Sequence, residues 1–149
     1  MPLQNNFNME LSEIASVSGK GGLYRVLAPT KSGVILEALD ETKSRLVASA
    51  SNRISLLHEI SIYTTTKKGT EPLLAVLKKI NKEFGNDLGI DANSDASELK
   101  AFMKSVLPEY DEERVYVSDL KKLVKWYSVI SQHAPEIIAA EPKEEKSNS

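Results

Sequence analysis

The run Ile14-Ala15-Ser16-Val17-Ser18-Gly19-Lys20-Gly21-Gly22-Leu23-Tyr24-Arg25-Val26 decides how this chain is read. A short apolar cluster, Leu11, Ile14, Ala15 and Val17, leads into a glycine-rich turn and fits either a helical turn or a first strand. Beyond Gly22 the polarity alternates as in a strand, with Tyr24, Val26 and Ala28 on one face and Leu23, Arg25 and Leu27 on the other.

Working outward, Pro29-Thr30-Lys31-Ser32-Gly33 has turn chemistry, since proline presets φ and glycine accepts positive φ. Val34 to Leu39 then returns as a second strand and closes a hairpin, and Arg45-Leu46-Val47-Ala48 is a third strand. Ile54, Leu56 and Leu57 suit a short helical turn that caps the core, and Glu59 to Thr65 has the β propensity of a further strand. Four or five short strands within about 55 residues predict a small antiparallel barrel or a strongly curved sheet, because closure hides exposed strand edges. The expected form is an SH3-like β barrel over residues 10–66, after a flexible N-terminus over residues 1–9.

From residue 67 the period changes. Thr70 is the expected N-cap of a first helix with Glu71 and Pro72 in its first turn, Leu73, Leu77, Ile80 and Phe84 on one face, and Gly85 as the stop. Asp95 and Glu98 have capping-box spacing before a second helix carrying Leu99, Phe102, Met103 and Val106, which Pro108 ends. A third starts near Ser118, with Leu120, Leu123, Val124, Tyr127 and Ile130 as its apolar stripe; Val115-Tyr116-Val117 before it reads as a short extended bridge. The expected fold class is therefore α+β: a β barrel followed by a three-helix unit over residues 67–134, with a disordered tail over 135–149.

The 149 residues are 41% hydrophobic and 27% charged, as in soluble globular proteins. Two halves of about 65 residues would each be marginal alone, so they are expected to dock. The net charge of −2 lacks the basic excess of a dedicated nucleic-acid binder, although residues 1–69 sum to +2 and residues 70–149 to −4. With no cysteine there is no disulfide, no thiolate catalysis and no Cys-rich zinc site. No run has the length of a membrane span and Met1 to Glu10 has no leader pattern, so a cytoplasmic protein without membrane contact is expected.

Candidate chemistry is sparse. Gly19-Lys20-Gly21-Gly22 departs from a Walker loop, since Gly21 follows Lys20 where Ser or Thr is needed and Ile14 occupies the upstream glycine position. Asp91, Asn93 and Asp95 imitate the start of a calcium loop, but Ala96 replaces its turn glycine and Phe102 its closing carboxylate. His58 and His133 lack metal-motif spacing, and no Gly-x-Ser-x-Gly elbow presents a nucleophile. Neither a catalytic residue, a cofactor nor a metal is therefore expected.

Lys20, Arg25, Lys31, Lys43, Arg45 and Arg53 all fall in the barrel half, where Tyr24 and Tyr63 add flat rings, a combination suited to single-stranded nucleic acid. In the third helix, Lys121, Lys122 and Lys125 lie opposite much of the apolar stripe and Trp126 at its edge. The expected function is a non-enzymatic binding or adaptor protein that meets a protein partner through the barrel face or the third helix. The alternative is an RNA- or DNA-binding module. The contact residues expected are Lys20, Arg25, Lys31, Arg45, Arg53, Tyr63, Lys122 and Trp126.

Three patterns carry a resemblance: Leu11-x-x-Ile14-Ala15-Ser16-Val17-Ser18-Gly19-Lys20-x-Gly22-Leu23-Tyr24, Glu59-Ile60-Ser61-Ile62-Tyr63-Thr64, and Val115-Tyr116-x-Ser118-Asp119-Leu120-Lys121-Lys122-x-x-x-Trp126-Tyr127. Across about residues 10–132 the chain resembles an uncharacterised family of Bacteroidetes-type bacterial proteins. The resemblance implies a small β part, a helical part and a cytoplasmic bacterial setting, and supplies no catalytic residues.

Overall fold

The computed structural model describes residues 9–49 and 51–139. Its first half is a five-stranded antiparallel sheet built from β1 (Ile14–Val17), β2 (Tyr24–Pro29), β3 (Gly33–Ala38), β4 (Arg45–Ser49) and β5 (Ile54–Leu56). The strands run in the order β4-β3-β2-β1-β5, and the two end strands do not pair, so the sheet is open. A short 3-10 turn, Leu11–Glu13, leads into β1 and another, Leu57–Glu59, follows β5. The apolar run before the glycines is thus a strand, and Ile54–Leu56 is one too; only Leu57 onward forms the helical turn expected there.

Alternation along β1 serves two cores. Ile14 belongs to the main core, whereas Val17 joins Leu36 and Ala48 in a smaller cluster, flanked by Tyr24, Val26, Val34, Leu46 and Ile54. A register shift between Val26 and Ala28 marks a bulge in β2, a device that increases local twist and bends a sheet around a small core.

A two-stranded ribbon, β6 (Ser61–Tyr63) with β7 (Thr70–Pro72), opens the second half. This corrects two expectations: the strand around Ile62 does not extend the first sheet, and Thr70 is a strand residue. Proline at 72 instead occupies the N-cap of α1 (Leu73–Phe84), which ends at Gly85 with φ +60°. Helix α2 (Ala96–Val106) starts at the Asp95–Glu98 capping box: the Glu98 N–H donates to the Asp95 carboxylate at 2.9 Å, and the Asp95 N–H to the Glu98 carboxylate at 3.3 Å. Helix α3 (Val117–His133) begins one residue earlier than expected, with the Tyr116 N–H donating to Asp119 Oδ2 at 2.9 Å. Of the extended bridge expected before it only Tyr116 is extended, at φ −90° and ψ 163°; Val117 opens the helix, and the Val115 N–H closes a turn by donating to the Asp111 carbonyl at 2.9 Å.

The expected tail starts too early. Glu136–Ala139 forms a short helix, α4, that buries Ile137 and Ile138 in the main core, and Glu136 accepts from the Met9 N–H at 3.1 Å. Apolar burial of two isoleucines favours order over the free chain. The rest of that tail, and residues 1–8 of the N-terminus expected to be flexible, lie outside the described residues.

One apolar cluster holds the two halves together. Leu11, Ile14, Leu23, Leu39 and Leu57 of the β half pack with Leu73, Val76, Leu77, Ile80, Leu99, Met103, Leu123 and Tyr127 of the helical half. The Tyr127 ring is 1% exposed, and its hydroxyl donates to the Gly85 carbonyl at 2.6 Å, pinning α3 to the end of α1. Burial pushes the Tyr127 hydroxyl pKa up. Tyr127→Phe is expected to cost about 1 kcal/mol, the net value of one such bond, read as a lower urea midpoint with an unchanged slope.

Candidate binding cleft

The Gly19–Gly22 turn lies at the seam between the halves. Its geometry needs glycine at two positions, Gly19 at φ +86° and Gly22 at φ +80°, a region in which a Cβ is strained. The Ser18 N–H donates to the Arg53 carbonyl at 2.8 Å and the Lys20 N–H to the Val17 carbonyl at 3.0 Å, which ties the turn to the start of β5.

A cleft of about 620 Å³ opens beside this turn. Ser16 and Ser55 are register partners on β1 and β5, and both line it, followed on the same strand faces by Ser18 and Arg53. Ser61 and Tyr63 of β6 form a second wall. On α3, Asp119, Lys122 and Trp126 recur at spacings of three and four and so share a face, with Lys125 beside them. Ile60, Ile62, Leu73, Val115 and Leu123 complete an apolar lining.

Five cations meet there: Lys20, Arg53, Arg114, Lys122 and Lys125. Among the described residues, only Arg114 of these has an ion-pair partner, Asp111 at 3.0 Å. Hydrogen bonding from Arg114 holds the Asp111 carboxyl below its usual range. The Arg114 guanidinium also lies 4.5 Å from the centre of the Tyr63 ring. This placement follows from the link between α2 and α3, which is strapped to β6: the Asp111 N–H donates to the Tyr63 carbonyl at 2.9 Å and the Thr65 N–H to the Glu109 carbonyl at 2.8 Å. The lining carboxylate, Asp119, already caps α3.

Five of the eight contact residues expected from the sequence therefore come together here: Lys20, Arg53, Tyr63, Lys122 and Trp126. Arg25, Lys31 and Arg45 do not join them. Arg25 is bound to Glu13, with nitrogen–oxygen distances of 2.9 and 3.0 Å, and tethers β2 to the turn before β1. Arg45 faces its cross-strand neighbour Glu37 at 3.7 Å on the edge strand. Lys31 is at the far end of β2 from the glycine turn, about 20 Å away at strand rise. Tyr24 is taken up by the small sheet core. A single basic face on the sheet is thus replaced by a cleft to which both halves contribute. Sequence reasoning missed Arg114, because the acidic stretch from Glu109 to Glu113 masks its charge.

Among the described residues no group of three or more His, Asp or Glu is placed to hold a metal ion, and no helix is long and apolar enough to cross a membrane. Asp91 instead accepts from the Asn93 N–H at 2.8 Å and organises its own loop.

Fold and site define an α+β protein with an antiparallel sheet first, helices second and a basic cleft at their junction. Residues 11–57 match a family described as a domain of unknown function (DUF5606), and residues 60–130 one described as a domain of unknown function (DUF6852). The matches divide at the 3-10 turn after β5, which leaves β6 with the helical half. A solution NMR structure of a protein from Bacteroides vulgatus is 34% identical with a TM-score of 0.66, over 84% of this chain and 88% of that one. The chain belongs to the family of that protein, an uncharacterised family of Bacteroidetes type. No curated protein matches it.

Proposed function

We propose that this is a non-enzymatic binding protein whose contact site is the cleft between the sheet and α3. The observation that carries the reading is the convergence of Lys20, Arg53, Lys122 and Lys125, without ion-pair partners among the described residues, in a chain of net charge −2. Like charges held together repel unless a counter-charge joins them, so the site favours an anionic partner. The apolar lining around Trp126 adds surface that a partner would bury. Among the described residues the one lining carboxylate, Asp119, is engaged in a helix cap, which favours binding over acid–base chemistry.

We further read the sheet as an SH3-like barrel left open between β4 and β5. Its strand order and the bulge in β2 support this. A cytoplasmic setting is part of the same proposal, supported by a chain without cysteine.

Affinity capture from the cells that make the protein tests the reading, with the wild type beside a Lys20→Glu, Lys122→Glu double variant. The wild type is expected to retain a reproducible partner that the variant loses. Equal recovery by both, or recovery by neither, would overturn it.

A further inference from the structure

We infer that the ligand of this cleft is single-stranded nucleic acid. The inference rests on the binding reading above and names its partner.

Charge supplies the first reason. Lys20 and Arg53 reach the cleft from the sheet, and Lys122 and Lys125 from α3. Cations on opposing walls suit a backbone that carries a charge at every unit. Neutral donors accompany them. Ser16 and Ser55, register partners on neighbouring strands, both line the cleft, and the turn containing Gly19 and Gly22 exposes backbone near Lys20.

Flat surface supplies the second reason. Trp126 and Tyr63 line the same cleft, and Tyr63 is 46% exposed although the Arg114 guanidinium covers part of its ring. Aromatic rings and arginine planes stack on bases of any sequence, and the bases must be unpaired to reach them. A peptide of acidic residues alone would satisfy the cations but leave the rings uncovered. A volume of about 620 Å³ suits a ligand of drug-like size, and so a short run of nucleotides in a longer strand.

Fluorescence anisotropy of the full chain with labelled 12-nucleotide oligo-dT and oligo-U tests the inference across a salt series. Four phosphate contacts predict an affinity about 50-fold weaker at 200 mM than at 50 mM salt. Trp126 is the one tryptophan, so quenching of its emission by unlabelled oligonucleotide reports ligand at the cleft in the unaltered protein. Lys20→Glu with Lys122→Glu is expected to lose affinity by about tenfold or more. Lys31→Glu with Arg45→Glu changes the net charge equally but outside the cleft, and is expected to stay within about twofold.

No binding at 20 mM salt, or equal losses in the two double variants, would overturn the inference. So would an oligo-glutamate of equal length that binds as tightly as the oligonucleotides. In that last case, or if cellular capture still depends on Lys20 and Lys122 without nucleic acid, the binding reading stands and only its ligand is wrong.

Discussion

Ile14→Ala is expected to lower the unfolding free energy by about 2–5 kcal/mol, the range for truncating a fully buried aliphatic side chain. Ile14 has 0% exposure and lies on β1, which is flanked by β2 and β5 within the sheet. Its side chain nevertheless belongs to the cluster that contains Leu77, Ile80 and Ile130, not to the small cluster inside the sheet. The loss is therefore felt by the helices as well as the strands. Urea unfolding followed by Trp126 emission, which reports α3, and by far-ultraviolet circular dichroism is expected to give one coincident transition, displaced equally by both probes. Two separate transitions, with only the dichroism displaced, would show that the halves fold independently. Size argues for the single transition: a matched unit of residues 11–57 would be marginal alone, and its Leu11, Ile14, Leu23, Leu39 and Leu57 are buried in the core shared with the helices.

Gly33→Ala is the second large effect, expected at about 3 kcal/mol and a fall in melting temperature of about 10 °C. The conformation at this glycine is unremarkable; the constraint is space. A Cβ at Gly33 would run into the carbonyl oxygen of Ala48, with the carbonyl carbon next to it. Both belong to the backbone of β4, in the ladder where Gly33 pairs with Ser49 and Val34 with Ala48. A side chain could rotate away, but a strand can yield only by separating. That movement would loosen the contact of Leu36 and Ala48 in the small sheet core and disturb the turn in which the Thr30 N–H donates to the Gly33 carbonyl at 2.8 Å. Gly21→Ala provides the contrast. Nothing lies within 4 Å of a Cβ there and its φ is not positive, so the change is expected to stay within about 0.5 kcal/mol. Thermal melts of the two variants side by side check both values.

Local signals were most legible where one stretch of chain carried its own reason to fold. The spacing of Leu99, Phe102, Met103 and Val106, and of Leu120, Leu123, Val124, Tyr127 and Ile130, marks two helices whose buried faces are those residues. Asp95 and Glu98 start α2 through bonds that close within four residues, and Gly85 ends α1 through its own backbone freedom. The strand after Gly22 and its return from Gly33 are similarly readable, because alternation and turn chemistry both act over a few residues.

Partners distant in the chain were less legible. Strand β6 has the propensity of a strand wherever it pairs, and the choice of β7 over the first sheet is a long-range one. Ile137 and Ile138 stand between Pro135 and the polar end that starts at Glu141, and only packing beside α1 and α3 makes a short helix there worth its loss of entropy.

By itself, then, the sequence determined an α+β chain with strands before helices, the caps and faces of α2 and α3, and a glycine turn around Lys20, all features set by neighbours within about one turn or one hairpin. Tertiary structure alone decided that the sheet stays open, that one core spans both halves, and that Lys20 and Arg53 meet Lys122, Trp126 and Arg114 across a cleft while Arg25 is paired away to Glu13. The physical reason is that charge and ring surface act through space, and residues as far apart as Lys20 and Trp126 become neighbours only once apolar burial has closed the chain between them.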